Sequence, residues 1–145
     1  MQGNAQTHVD VAVGIESGLY ATTQNGTMRD RQGFHEALVI VNCGAAAGDG
    51  SVVVKIQHGA ASDGTGAADI TGAAFAALTT STDHARYVGR IKLSGANRYV
   101  RAVGTYSGSG ASNEVNYSVE FVFLSAHDTA RTDGMAAYVF NVTNV

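Results

Sequence analysis

Short runs of valine, isoleucine and aromatic residues recur along this chain with apolar and polar positions alternating, and clusters of Gly, Asp, Ser and Ala separate them. A repeat of two is the period of a β-strand, whose successive side chains point to opposite faces. In residues 8–15, Val9, Val11, Val13 and Ile15 share one side, the pattern of a half-buried strand. Residues 51–58 set Val52, Val54 and Ile56 against Ser51, Lys55 and Gln57, with Val53 the exception. Val115, Tyr117, Val119, Phe121 and Phe123 line one face of residues 115–125, the longest and most aromatic run, expected at the centre of the core. Residues 34–42 are apolar on both faces apart from His35 and Glu36, the pattern of a central strand covered on two sides.

Residues 85–93 and 98–106 flank the short link Ser-Gly-Ala-Asn, a length suited to an antiparallel hairpin. Tyr87, Ile91 and Leu93 alternate there with Arg86, Arg90 and Lys92, so the outward face carries cations, while Tyr99 and Val103 share a face with Arg101. Between Gly59 and Asp83 only Ile70, Phe75 and Leu78 are larger apolar anchors, which predicts turns with a short strand or one helical turn near Phe75. The glycines there oppose a longer helix. Residues 126–135 read as a polar connection and 136–143 as a last strand. Residues 1–7 form a polar N-terminal arm, and the aperiodic residues 16–33 a long loop of the kind a compact domain keeps for a functional arm. The pattern predicts an all-β single domain, an antiparallel two-sheet β-sandwich of jelly-roll or immunoglobulin-like type with about seven to eight strands.

Composition sharpens this picture at one point: 45% of the 145 residues are hydrophobic and only 14% charged, few charges for a chain that covers its surface alone. Part of that surface is expected to be covered by another protein. The net charge of −3 is spread along the chain without a basic footprint, so nucleic acid is not an expected partner. Apolar runs stay far below the roughly 20 residues that span a bilayer, and the first residues lack a basic start followed by an apolar block, so the chain is expected to be made in the cytoplasm without a membrane partner. Cys43 is the sole cysteine, which excludes an intrachain disulfide and a paired-thiolate zinc site and points to a small core residue.

Motifs for chemistry are missing. The five histidines, His8, His35, His58, His84 and His127, keep no ligand spacing from one another. Asp63-Gly64-Thr65-Gly66 reads as a turn, and Asp49, Asp69 and Asp83 as further turn-capping carboxylates without the alternation of a calcium loop. Neither a Gly-x-Ser-x-Gly elbow nor a phosphate-cradling Gly-Lys loop occurs, so neither catalytic residues nor a cofactor are expected.

From Val52 to Arg101 the pieces Val-Val-Val-Lys-Ile-Gln-His, Ser-Asp-Gly-Thr-Gly, Asp-Ile-Thr-Gly-Ala-Ala-Phe, Tyr-Val-Gly-Arg-Ile-Lys-Leu and Asn-Arg-Tyr-Val-Arg follow one another. This ordered series resembles that of the tailed-bacteriophage capsid decoration, cement or head-stabilisation proteins. The resemblance implies a structural virion protein without catalytic residues, located on the capsid exterior as a homo-oligomer, dimer or trimer, with the major capsid protein as partner. Many family members carry a tryptophan after the Asp-Gly turn; Gly66 and Ala67 stand near that place here, so no aromatic role carries over. Tyr20, Met28, Arg29 and Arg31 in the 16–33 loop are the candidate capsid or oligomer contacts, being residue types enriched at interfaces. Alternative readings are a glycan- or host-surface-binding module, as a head spike or fibre, and a head-tail connector or tail-tube component.

Overall fold

The computed structural model describes residues 9–125 and the backbone of Tyr138–Phe140. The expected N-terminal arm, the 126–135 connection, His8 and His127 lie outside the described residues. Strands β1 (Val9–Tyr20), β4 (Glu36–Ala46), β7 (Arg86–Lys92), β9 (Val115–Leu124) and β10 (Tyr138–Phe140) form one antiparallel sheet in the order β1-β9-β4-β7-β10. The second runs β2 (Gln24–Asn25), β8 (Tyr99–Ser107), β5 (Ser51–Gly59), β6 (Ala68–Ala74), with β3 (Arg29–Asp30) also paired to β8. Two antiparallel sheets packed face to face make the β-sandwich that the alternation predicts.

The core lies between the sheets. Val39, Val41, Val119 and Phe121 from the first and Val52, Val54, Ile56 and Val100 from the second are each fully buried. β9 runs between β1 and β4 as the aromatic spine: Phe121 and Phe123 stack with centroids 5.4 Å apart, and Tyr20 meets Tyr117 edge-on at 5.3 Å. Of the 59–83 segment, Ala68–Ala74 supplies a short strand, while its helical turn falls later than expected, at the 3-10 helix Thr80–Thr82. The long loop begins later too, because β1 continues to Tyr20, and its remainder is tacked to the second sheet by β2 and β3.

The expected hairpin of residues 85–93 and 98–106 does not form. β7 pairs with β4 and β10, β8 with β5, β2 and β3, so the Ser94–Asn97 link crosses between sheets. Both edges of β7 are occupied, and the corner is pinned on the far side: Arg31 donates from Nε to the Asn97 carbonyl (2.8 Å) and from its terminal nitrogens to the Phe34 and Ala96 carbonyls. The Asn97 amide donates to His58 Nδ1 at 2.9 Å. Six residues separate β7 from β8, reach enough for either geometry, and the bonds to Arg31 and His58 brace the crossing.

A second difference concerns β1. Val9, Val11 and Val13 were expected to face inward with Ile15, but they are 55%, 65% and 42% exposed, while Ile15 is buried. A register shift between Val13 and Ile15 explains it: Val13 pairs with Glu120 and Ile15 with Val119, so one extra residue, Gly14, inverts the faces. Gly14 lies so close to Phe121 that a Cβ there would stand 2.9 Å from the ring. Glycine is what lets the bulged strand approach the core.

Candidate interaction surface

The two outer faces of the sandwich differ in kind. On the second sheet, Lys55 Nζ pairs with Asp69 Oδ2 at 2.9 Å, Gln57 donates to Asp69 Oδ1 at 2.7 Å, and the Arg101 guanidinium donates twice to Gln57 Oε1 at 2.9 and 2.8 Å. The donors from Gln57 and Lys55 hold the Asp69 carboxyl below its ordinary range. This face is a closed ladder of polar groups suited to water.

The outer face of the five-stranded sheet is apolar through its middle. Antiparallel neighbours share a face, so the register places the residues in transverse rows. One row runs Val11, Val122, Leu38, Arg90; the next Val13, Glu120, Ile40, Val88; on the other side lies Val9, Leu124, Glu36, Lys92. Leu38, Ile40, Val88, Val122 and Leu124 are half-buried by their neighbours, and the valines of β1, on the sheet edge, are exposed. Leu38 and Ile40 thus belong to an outward face that no other layer of the described residues covers, where a strand covered on two sides was expected.

Charge on this face is set to the two sides of the central strand β4. Toward β7, Arg90 makes a bidentate pair with Glu36 (2.6 and 2.7 Å), and Arg86 donates to Asn42 Oδ1 at 2.8 Å without a carboxylate partner among the described residues. Toward β1, the exposed Glu120 likewise has no ion-pair partner among the described residues.

The four contact candidates from the sequence sit elsewhere and serve the fold. Tyr20 donates its hydroxyl to the Glu16 carbonyl (2.8 Å) and packs on Tyr117, and Arg29 donates to the Val13 carbonyl (2.9 Å), covering part of the β1 edge. Met28 is half-buried beside Gly59 and Gly64, and Arg31 is the corner clamp described above. None of them lies on the outer face of the first sheet, whose signal in the sequence is the double-sided apolarity of β4 and the odd-numbered valines of β1.

The remaining polar candidates have local partners. Asp49 accepts from the Ser109 amide (3.0 Å), Asp63 from Thr65 (2.8 Å) and Asp83 from Ala46 (2.9 Å), each closing a turn or bracing a loop. His35 and His84 are exposed, and His58 accepts from Asn97. Among the described residues no three His, Cys, Asp or Glu side chains converge as metal ligands. Burial raises the Cys43 thiol to about 11, so this buried cysteine is the expected core residue. It edges an open surface cavity of about 480 Å³ with Asn42, His84 and Arg86. No helix among the described residues is long and apolar enough to cross a membrane. Comparison with known proteins finds no family model that matches the chain and no curated protein similar to it.

Proposed function

We propose that this chain is a structural virion protein, a decoration or cement protein that binds the exterior of a tailed-phage head where major capsid subunits meet. The observation that carries this reading is the inequality of the two outer faces: one is a self-contained polar ladder, the other an apolar sheet surface that water wets poorly. A protein with such a face works through protein contact, and the ordered motif series from Val52 to Arg101 supplies the kind of assembly. Its mechanism is linkage: a body that binds only the expanded, assembled shell stabilises that state by its own binding free energy, and repetition around the lattice raises avidity without strong single contacts. The test is to add purified protein to expanded heads that lack it and measure bound copies per head, then heat and osmotic survival. Saturable binding with increased survival is expected; absence of saturation, or unchanged survival, overturns the reading.

A further inference from the structure

We infer that the apolar outer face of the five-stranded sheet is a homodimer interface, closed by a second copy of this chain across a two-fold axis parallel to the strands and centred on β4. This rests on the reading of the protein as one that works through protein contact, and assigns this face to contact between copies. Three features carry it.

The first is self-complementary charge. A two-fold axis along β4 in the plane between two facing sheets carries β9 of one copy over β7 of the other while keeping each transverse row in place. Glu120 then stands over the partner's Val88, which on β7 has Arg86 and Arg90 as its same-face neighbours two residues away on either side. The acid and the guanidinium that have no ion partner among the described residues therefore meet between copies, twice. A two-fold axis across the strands would instead lay β9 on β9 and β7 on β7, which keeps Glu120 and Arg86 two strands apart.

The second is apolar continuity. The same operation lays the row Val122, Leu38, Arg90 against its own reverse, so Leu38 meets Leu38 and Ile40 meets Ile40 at the axis, while Val122 lies over the aliphatic stem of the partner's Arg90. The half-buried Glu36–Arg90 pair brings its own counter-charge and hydrogen bonds into such an interface and leaves no bare charge there.

The third is size. Strands of 12, 10, 11, 7 and 3 residues, at about 3.3 Å per residue and about 4.8 Å spacing, give a face of about 680 Å². A stable protein contact covers about 600–1,000 Å² per partner. The face falls within that range.

Sedimentation equilibrium of the full chain reads the outcome. The unmodified protein is expected to be a dimer. Glu120→Arg and Arg86→Glu are each expected to weaken association by at least about tenfold, since each replaces two opposite-charge contacts with like-charge ones, and the double variant to return to within about threefold of the original. Thermal unfolding of each variant verifies that it folds, both positions being exposed. A monomer at all concentrations, or folded single variants that dimerise unchanged, overturns the inference; so does a double variant no better than the singles, which would mark a dimer built on another surface. Head binding by a monomeric protein that Val11→Lys abolishes overturns the dimer while upholding the proposed function. Rescue by the double variant in a protein that never binds heads upholds the dimer and removes the phage reading.

Discussion

Replacing Tyr117 by phenylalanine is expected to stabilise this protein. The Tyr117 ring is 1% exposed, and its hydroxyl is a fully buried polar atom without a hydrogen-bond partner among the described residues. It points toward Gly104, where a Cβ would collide with the phenol oxygen. Leaving such a group dry and unpaired costs about 1–3 kcal/mol. Deleting the oxygen leaves a void on the order of 10–15 Å³, which at about 24 cal/mol per Å³ takes back about 0.3 kcal/mol. The edge-on contact with Tyr20 at 5.3 Å involves the ring and survives. A net gain of about 0.7–2.7 kcal/mol follows, and at about 2.1 cal/mol/K per residue for the 145-residue chain this is a rise of about 2–9 °C in Tm. Urea and thermal unfolding followed by circular dichroism measure both quantities. A Tyr117→Phe midpoint at or below that of the unmodified protein refutes the reasoning, because it would mean that the hydroxyl is bonded. Gly104→Ala completes the test: its methyl group overpacks the site and is expected to cost about 1–3 kcal/mol, and less when Tyr117→Phe has already removed the nearest atom.

Arg31→Ala is expected to lose about 2–4 kcal/mol in urea unfolding, because the half-buried guanidinium serves the Phe34, Ala96 and Asn97 carbonyls at the crossing corner; Arg31→Lys recovers only part, an ammonium lacking the planar fork. A Lys variant as stable as the original would show that charge alone suffices there. With its thiol raised from 9.0 to about 11 by burial, Cys43 at pH 8 holds about a hundredth of the thiolate of a free cysteine, so disulfide reagents should modify it about 100-fold more slowly than in urea. The same shift sets an alkaline limit: the native state keeps a proton that the unfolded chain releases, so stability is full below pH 9.0 and falls by about 2–3 kcal/mol as pH rises through about 11. Cys43→Ala removes that contribution, and an unchanged pH profile between pH 9 and 11 would contradict it; burial of the Tyr117 phenol, whose proton is also held above its ordinary value, deepens the loss at still higher pH.

Much of the fold was legible from alternation. β5 and β9 bury the residues their patterns set inward, because inward and outward positions differ in polarity and a one-residue slip would expose the whole set. In β1 the alternation was present but the facing was not, since Gly14 inserts one residue and a periodicity carries no information on where a bulge resets it. The site was harder. Tyr20, Met28, Arg29 and Arg31 have the composition of contact residues, yet composition does not distinguish an Arg that meets a partner from one that clamps its own backbone.

Residue order determined by itself that this chain is strand-built and low in charge, with Cys43 suited to the core and the Asp-Gly pairs suited to turns, since these follow from local preference and period. Only the tertiary structure decided which strands become neighbours, that the β7–β8 link crosses between sheets, and which apolar face of β4 is left outward beside Glu120 and Arg86. Such choices rest on contacts between residues tens of positions apart, and a local pattern is the same for a valine packed inside the sandwich and one offered to a partner.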